Sequence, residues 1–273
     1  MNRISSPSQI LRCAFISLLL LPHPTFSAFE FAPTSARSGG TGDNFVAWAQ
    51  GTDALIWNPG ATVWNGGIGV TAVYDRPFGV RELQTSMAGI VLPLRNTALG
   101  LRFEDFGYAL FREQTIGVTV AHRVRERLGL GLTLRSLRLS AEGIGSRSWV
   151  VFDLGARVVF PGGVRFGMAA WNVGGKKMSL LGQGGMAGVG IEVSPGVFVL
   201  VDVRKESGLP TGGGAGVEFE MGKRFKFRLG AGNQPERFSG GFGVRKGMVT
   251  IDYSAAFHSI LGISQRVSLT IGR

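Results

Sequence analysis

The stretch Arg127-Leu-Gly-Leu-Gly-Leu-Thr-Leu-Arg-Ser-Leu-Arg-Leu139 decides the fold class. Leu128, Leu130, Leu132 and Leu134 alternate with Arg127, Gly129, Gly131, Thr133 and Arg135, a period of two. Successive side chains of an extended strand point to opposite faces, so one face is pure leucine and the other glycine, hydroxyl and charge. The pattern recurs from Gly67 to Arg273. One side is apolar enough for lipid and the other polar enough for a lumen. The sequence reads as all-β: a transmembrane antiparallel up-and-down β-barrel of about fourteen strands with a short N-terminal lumenal plug. A soluble β-sandwich is the competing reading, and it needs fewer and less regular strands.

Composition agrees. The 273-residue chain has 43 glycines and only 17 % charged residues beside 44 % hydrophobic ones. No apolar run is long enough to cross a bilayer as a helix. Crossing by alternating strands is what remains.

The N-terminus carries Arg3 and Arg12, the apolar Ala14 to Leu21, then Pro22 and the small residues Thr25, Ser27 and Ala28. That order reads as a secretory signal peptide over 1–27, with cleavage after Ser27 or Ala28. The only cysteine, Cys13, lies in this leader, so the mature chain is expected to lack disulfides and thiolate metal sites. The net charge of +11, less the two leader arginines, is +9. A basic exported membrane protein suggests anionic outer-membrane lipid, lipopolysaccharide or phospholipid, at the strand ends. Nucleic acid is excluded, because the basic residues are scattered and no binding motif accompanies them. Arg123, Arg125 and Arg127 stand together, read either as a solvated turn at the membrane rim or as a ligand site.

Residues 28–66 differ from the rest. Ser38-Gly-Gly-Thr-Gly-Asp reads as a glycine loop, and Asp53 as the N-cap of one short turn before Trp57-Asn-Pro-Gly bends the chain. This segment is too short for a domain and has only the barrel lumen to pack against.

From 67 to 273 the strands centre on Val70, Met87, Leu101, Val118, Leu130, Leu154, Met168, Val189, Leu200, Val217, Phe227, Phe242, Ile251 and Val267. After even-numbered strands the links are short, as in Leu94-Arg-Asn or Ser194-Pro-Gly. After most odd-numbered ones they are longer: Asp75 to Arg81, Glu104 to Glu113, Ser140 to Arg147, Asn172 to Gly185, Lys205 to Gly212. Bacterial barrels have short periplasmic turns, longer outer loops and an even strand number, so both termini are expected on the periplasmic side of a bacterial outer membrane.

A charge on the lipid face costs about 2–4 kcal/mol near the midplane, so charged faces turn inward. Arg102, Glu104, Asp153, Arg157, Glu218, Glu220, Arg228, Asp252 and Arg266 are therefore assigned to the lumen, as internal ion pairs. Inward glycines at 129, 131, 155, 214 and 216 leave room for the 28–66 segment. The mature chain's histidines, His122 and His258, fall at opposite strand ends, and the Ser259 beside His258 has no placed carboxylate. No catalytic, metal or cofactor site is assigned. Glycines 39, 40 and 42 match no phosphate loop. Trp149 and Trp171, near strand ends, are assigned to an aromatic girdle.

The segment Ala36-Arg-Ser-Gly-Gly-Thr-Gly to Asp53-Ala-Leu-Ile-Trp-Asn-Pro-Gly-Ala resembles the N-terminal signature of the PorV/PorQ family, outer-membrane proteins related to FadL-type transporters. Asp53, Trp57, Asn58 and Pro59 match, while Gly60-Ala61 reverses the family order. Leu261-Gly-Ile-Ser-Gln-Arg-Val-Ser-Leu is similar to the family's last strand. The chain departs by ending Ile271-Gly272-Arg273 where many barrels end in an aromatic residue. The resemblance implies a lumenal hatch built on Gly39, Gly40, Gly42, Asp53, Trp57, Asn58, Pro59 and Gly60. Asn58-Pro59-Gly60 is then either a gating bend or a structural turn. It implies two functions: passive passage or holding of a hydrophobic small molecule, or docking of exported proteins or secretion-system subunits without transport. The apolar Met178-Ser-Leu-Leu is the docking patch of the second reading.

Overall fold

The computed structural model describes residues 28–29, 35–174, 181–234 and 236–272; the proposed leader and Met178 to Leu180 lie outside these. Fourteen antiparallel strands form one closed barrel in sequence order. The first seven are β1 (Gly69–Arg76), β2 (Thr85–Leu94), β3 (Thr97–Tyr108), β4 (Phe111–Arg125), β5 (Leu128–Ala141), β6 (Gly145–Val159) and β7 (Arg165–Val173). The others are β8 (Gly184–Ser194), β9 (Val197–Glu206), β10 (Gly212–Met221), β11 (Phe225–Asn233), β12 (Arg237–Lys246), β13 (Val249–His258) and β14 (Gly262–Gly272). Each contains the strand centre expected from alternation. The seam closes as β1 pairs with β14, from Gly69 against Gly272 to Arg76 against Gln265. Closure leaves no unpaired sheet edge, which a bilayer core requires.

Strand β5 shows how alternation becomes architecture. Leu132 is 42 % exposed on the outer face, whereas its neighbour Thr133 is 1 % exposed in the lumen. Thr133 shares a 2.8 Å hydrogen bond with Thr119 of β4, so hydroxyls tie adjacent strands where leucine cannot. Among the described residues no helix is long and apolar enough to cross a membrane; the strands form the apolar wall.

The connections depart from expectation in two places. β3 and β4 run on to Tyr108 and Phe111, and β5 and β6 to Ala141 and Gly145, so the links after β3 and β5 are tight turns. Glu104 to Glu113 and Ser140 to Arg147 lose apolar alternation, yet backbone pairing continues without it. The links after β1 and β7 remain long. We call the end holding the turns after even strands the short-turn end, and the other the far end.

Inside lies the N-terminal segment. Helix α1 (Ala36–Gly40) occupies part of the expected glycine loop. Ser35 caps it, its side chain accepting from the Ser38 N–H, which offsets the helix-breaking tendency of two glycines. A second short helix, α2 (Ala54–Trp57), precedes a 3₁₀ turn over Pro59–Trp64. Asp53 does not cap α2 through its side chain. Its carboxylate instead accepts a 2.6 Å hydrogen bond from the Ser35 hydroxyl, a long-range tie that competes with local capping.

The chain at Ala28 and Phe29 sits at the far end. The Phe29 N–H donates to Glu113 on β4, and its ring meets Trp149 edge-on at 6.0 Å. Gly272 lies at the short-turn end. Strand parity, which placed both termini on one side, cannot register that residues 28–66 run along the lumen.

Candidate functional site

The site is the filled lumen. Its floor is glycine. A methyl built on Gly131 would stand 2.5 Å from the Gly60 N and the Pro59 O; one on Gly155 would stand 2.7 Å from Pro59 Cδ. On Gly129 it would meet Trp64 and the Gly60 carbonyl, and on Gly216 the Thr41 backbone. Only bare backbone lets the plug lie this close to the wall.

Asn58 is fully buried and anchors the bend. Its Nδ2 donates to the carbonyls of Val46 (3.0 Å) and Ala156 (2.9 Å), and its Oδ1 accepts from the Gly60 N–H (3.1 Å). Pro59 starts the 3₁₀ turn with no N–H to leave unpaired. Trp57 is fully buried against Phe45, ring centroids 6.2 Å apart. Gly39 and Gly40 pass beside Ser254 and Arg228, and Gly42 takes φ 70°, a left-handed turn beside β11.

Along β10 to β14 the plug is held by charge. Glu218, fully buried, accepts from Arg37 (2.7 and 3.0 Å) and from Arg228 (2.6 Å), which also donates to Asp252 (2.7 Å). Asp43 receives Arg266 (2.7 Å) and Arg237 (2.9 Å), and Arg266 also reaches Asp75 (2.8 Å). Burial works to lower the Arg37 pKa, but Glu218, with Asp53 and Asp252, outweighs it and holds the pKa above its ordinary value. Burial likewise works to raise Asp43, and Arg266 and Arg237 outweigh it, leaving the carboxyl below the usual range. Burial does prevail at Asp53, whose pKa is raised.

The nine charged residues assigned to the lumen all line it, in different roles. Glu218, Arg228, Asp252 and Arg266 form the ion-pair lane, with Glu220 paired to Lys226 at its edge. Arg102 donates to the Leu55 carbonyl (3.0 Å) and lies 3.9 Å from Glu104. Arg157 donates to the Ala49 carbonyl (2.7 Å) beneath the Trp64 ring. Asp153 holds Arg135 (2.7 Å) and the Asn172 N–H (3.0 Å). Sequence reasoning missed Arg37, Asp43, Asp75 and Asp202, and it placed Arg135 on the polar face of β5 without a partner. The wall residues among them carried a usable signal: Leu200 and Asp202 share the face opposite Val201 and Val203.

Along β7 to β9 the lumen is apolar instead. Trp171 and Met186 at the far end, Phe45 and Leu200 midway, and Trp48 and Phe198 near the short-turn end form one buried cluster. Trp48 packs on Phe198 at 4.8 Å and under Arg165 at 3.7 Å. Asp202 is a buried acid in this lane, accepting the N–H groups of Phe45 (2.5 Å) and Val46 (2.9 Å), and Glu206 is a second at its far end. The far end of the lane meets an open groove of about 690 Å³, lined by Trp171, Val173, Met186, Ala187 and Val203 together with the polar Gln183, Lys205 and Ser207. At the short-turn end a polar vestibule of about 230 Å³ opens beside Asp53, Trp64, Arg245 and Asp252.

Trp149 and Trp171 are therefore lumenal, not girdle residues. Trp149 shares an inward face with Val151 and Asp153, and packs with Phe29, Leu137 and Leu181. Leu181 is buried there, which removes it from the exposed docking patch. His122 pairs with Thr97 (3.0 Å) on the outer face of β4; His258 Nδ1 accepts the Ile260 and Leu261 N–H groups (3.2 Å each), capping a turn.

No family model matches the chain, and neither does any curated protein. Solved structures do. The barrel is similar to CymD, a monoaromatic hydrocarbon channel, at 15 % identity and TM-score 0.68 over 90 % of this chain and 99 % of that one. It is similar to a Pseudomonas aeruginosa FadL homologue at 12 % identity and TM-score 0.62, covering 90 % and 98 %. The P. putida toluene transporter TodX is similar at 10 % identity and TM-score 0.61, covering 89 % and 99 %. The fold is that of the FadL-like outer-membrane barrels.

Proposed function

We propose that the protein is a passive outer-membrane channel for a small hydrophobic molecule, with the short turns facing the periplasm and residues 28–66, freed from their leader, as the lumenal hatch. The observation that carries this reading is the division of the lumen. Plug and wall are locked by ion pairs on one side, while on the other an apolar lane runs from the groove at Trp171 to Trp48 and Phe198. A hydrophobic solute gains by burial along such a lane. Similarity to channels described as carrying monoaromatic hydrocarbons supports the same class of solute. The likeness of residues 36–61 to the PorV/PorQ signature supports the hatch. Docking of exported proteins loses support with the burial of Leu181.

The test is uptake of radiolabelled toluene by cells expressing the chain or its Met186→Arg variant. A charge in the lane should abolish the uptake gained from the wild type while heat-modifiable folding persists. Equal uptake by both would refute the lane.

A further inference from the structure

The four arginines at the rim of β2 to β5 are not used by the lumen. Arg95 is in the turn between β2 and β3, Arg123 and Arg125 end β4, and Arg127 follows in the next turn. The two turns are neighbours: the Arg123 N–H donates to the Asn96 carbonyl (2.7 Å), and its guanidinium to the Arg95 carbonyl (3.3 Å). Arg95, Arg125 and Arg127 are exposed, and among the described residues none of the four is in an ion pair, although Glu126 lies between two of them. The Arg123 Nε is buried with no hydrogen-bond partner.

Directly against this cluster the outer wall is apolar. Leu94, Val124 and Phe160 are each about half exposed, and the leucines of β5 continue the surface toward the bilayer centre. Phe160 is brought beside the cluster by the bond from the Val159 N–H to the Arg127 carbonyl (2.9 Å). A slow step from apolar wall to clustered guanidinium is the profile of a membrane–water interface, and guanidinium forks match phosphate oxygens in pairs.

We infer that this rim sector binds an anionic glycerophospholipid of the leaflet at the short-turn end, its phosphate among Arg95, Arg125 and Arg127 and its acyl chains along Leu94, Val124 and the β5 leucines. Unpaired cations surrounded by water alone would need no adjoining apolar wall, and an acidic protein partner would not need one either. The inference rests on the membrane-barrel reading but not on transport, because lipid retention is measured without any solute.

The experiment is native mass spectrometry of the full refolded barrel, titrated with phosphatidylglycerol, phosphatidylcholine of the same chains, or lipid A. The wild type should retain phosphatidylglycerol at least tenfold better than phosphatidylcholine. The triple variant Arg95→Gln, Arg125→Gln, Arg127→Gln should bring that ratio near one, whereas Arg138→Gln with Arg147→Gln at the far end should leave it unchanged. Should the triple variant misfold, added salt must lower the wild-type ratio. Equal retention of the two phospholipids, a ratio unmoved by the triple variant or by salt, or stronger retention of lipid A lost in the same variant would each overturn the assignment.

Discussion

Replacing Asn58 with alanine should free the hatch without unfolding the barrel. The side chain makes three hydrogen bonds at 2.9–3.1 Å inside a site with no solvent access. Two lost donations contribute about 1 kcal/mol each, and the orphaned Gly60 N–H adds roughly another 1, giving ~3 kcal/mol. A tenfold change in an equilibrium corresponds to about 1.4 kcal/mol, so local opening should rise on the order of a hundredfold. Hydrogen–deuterium exchange of the refolded protein reads this directly. Peptides covering residues 41–49 and 59–64 should lose protection by that factor, because the Phe45 and Val46 amides are held by Asp202 only while the bend is seated. Peptides from β4 and β5 should not change. Asn58→Asp keeps the acceptor for Gly60 and loses both donors, so it should release 41–49 more than Gly60. Unaltered exchange in both variants, or a loss spread evenly into the strands, would refute Asn58 as the local anchor.

All five tryptophans (48, 57, 64, 149 and 171) lie on the lumen side, so lipids brominated on their acyl chains should quench intrinsic fluorescence weakly. Strong quenching would return Trp149 and Trp171 to a lipid-facing girdle. Asp43→Asn should reduce plug protection at neutral pH. Because Asp43 has a folded pKa below its ordinary value, its contribution is complete above the unfolded value of about 3.9 and is lost as pH falls through the folded one. Exchange differences between wild type and variant should therefore be flat from pH 7 toward 5 and shrink in stronger acid. A difference that grows on acidification would contradict the ion pairs with Arg266 and Arg237.

Fourteen strands were legible because lipid outside and polar lumen inside impose one rule on every residue between the bilayer edges. Leu132 and Thr133 obey it, and so does Asp153. Beyond the edges both faces meet water, the rule lapses, and the hairpins at Tyr108–Phe111 and Ala141–Gly145 read as loops. The inward aim of Trp149 was available from its parity with Val151 and Asp153, but position near a strand end suggested a girdle instead. The partnership of Arg37 with Glu218, or Asp43 with Arg266, was not legible, since it joins residues 181 and 223 positions apart whose encounter depends on closure of the whole sheet.

That closure has a consequence for assembly. The plug touches the inner face from β1 through the first strands at Leu55 and Trp64, across to β9 at Asp202, and round to β14 at Arg266. Its chain precedes β1, and the last pairing, β1 with β14, shuts the cylinder. Glycine floors leave no spare clearance for threading a segment in afterwards. Plug and bore are therefore one fitted pair: any change in the plug's bulk or charge is felt at the β1–β14 seam that has to close around it.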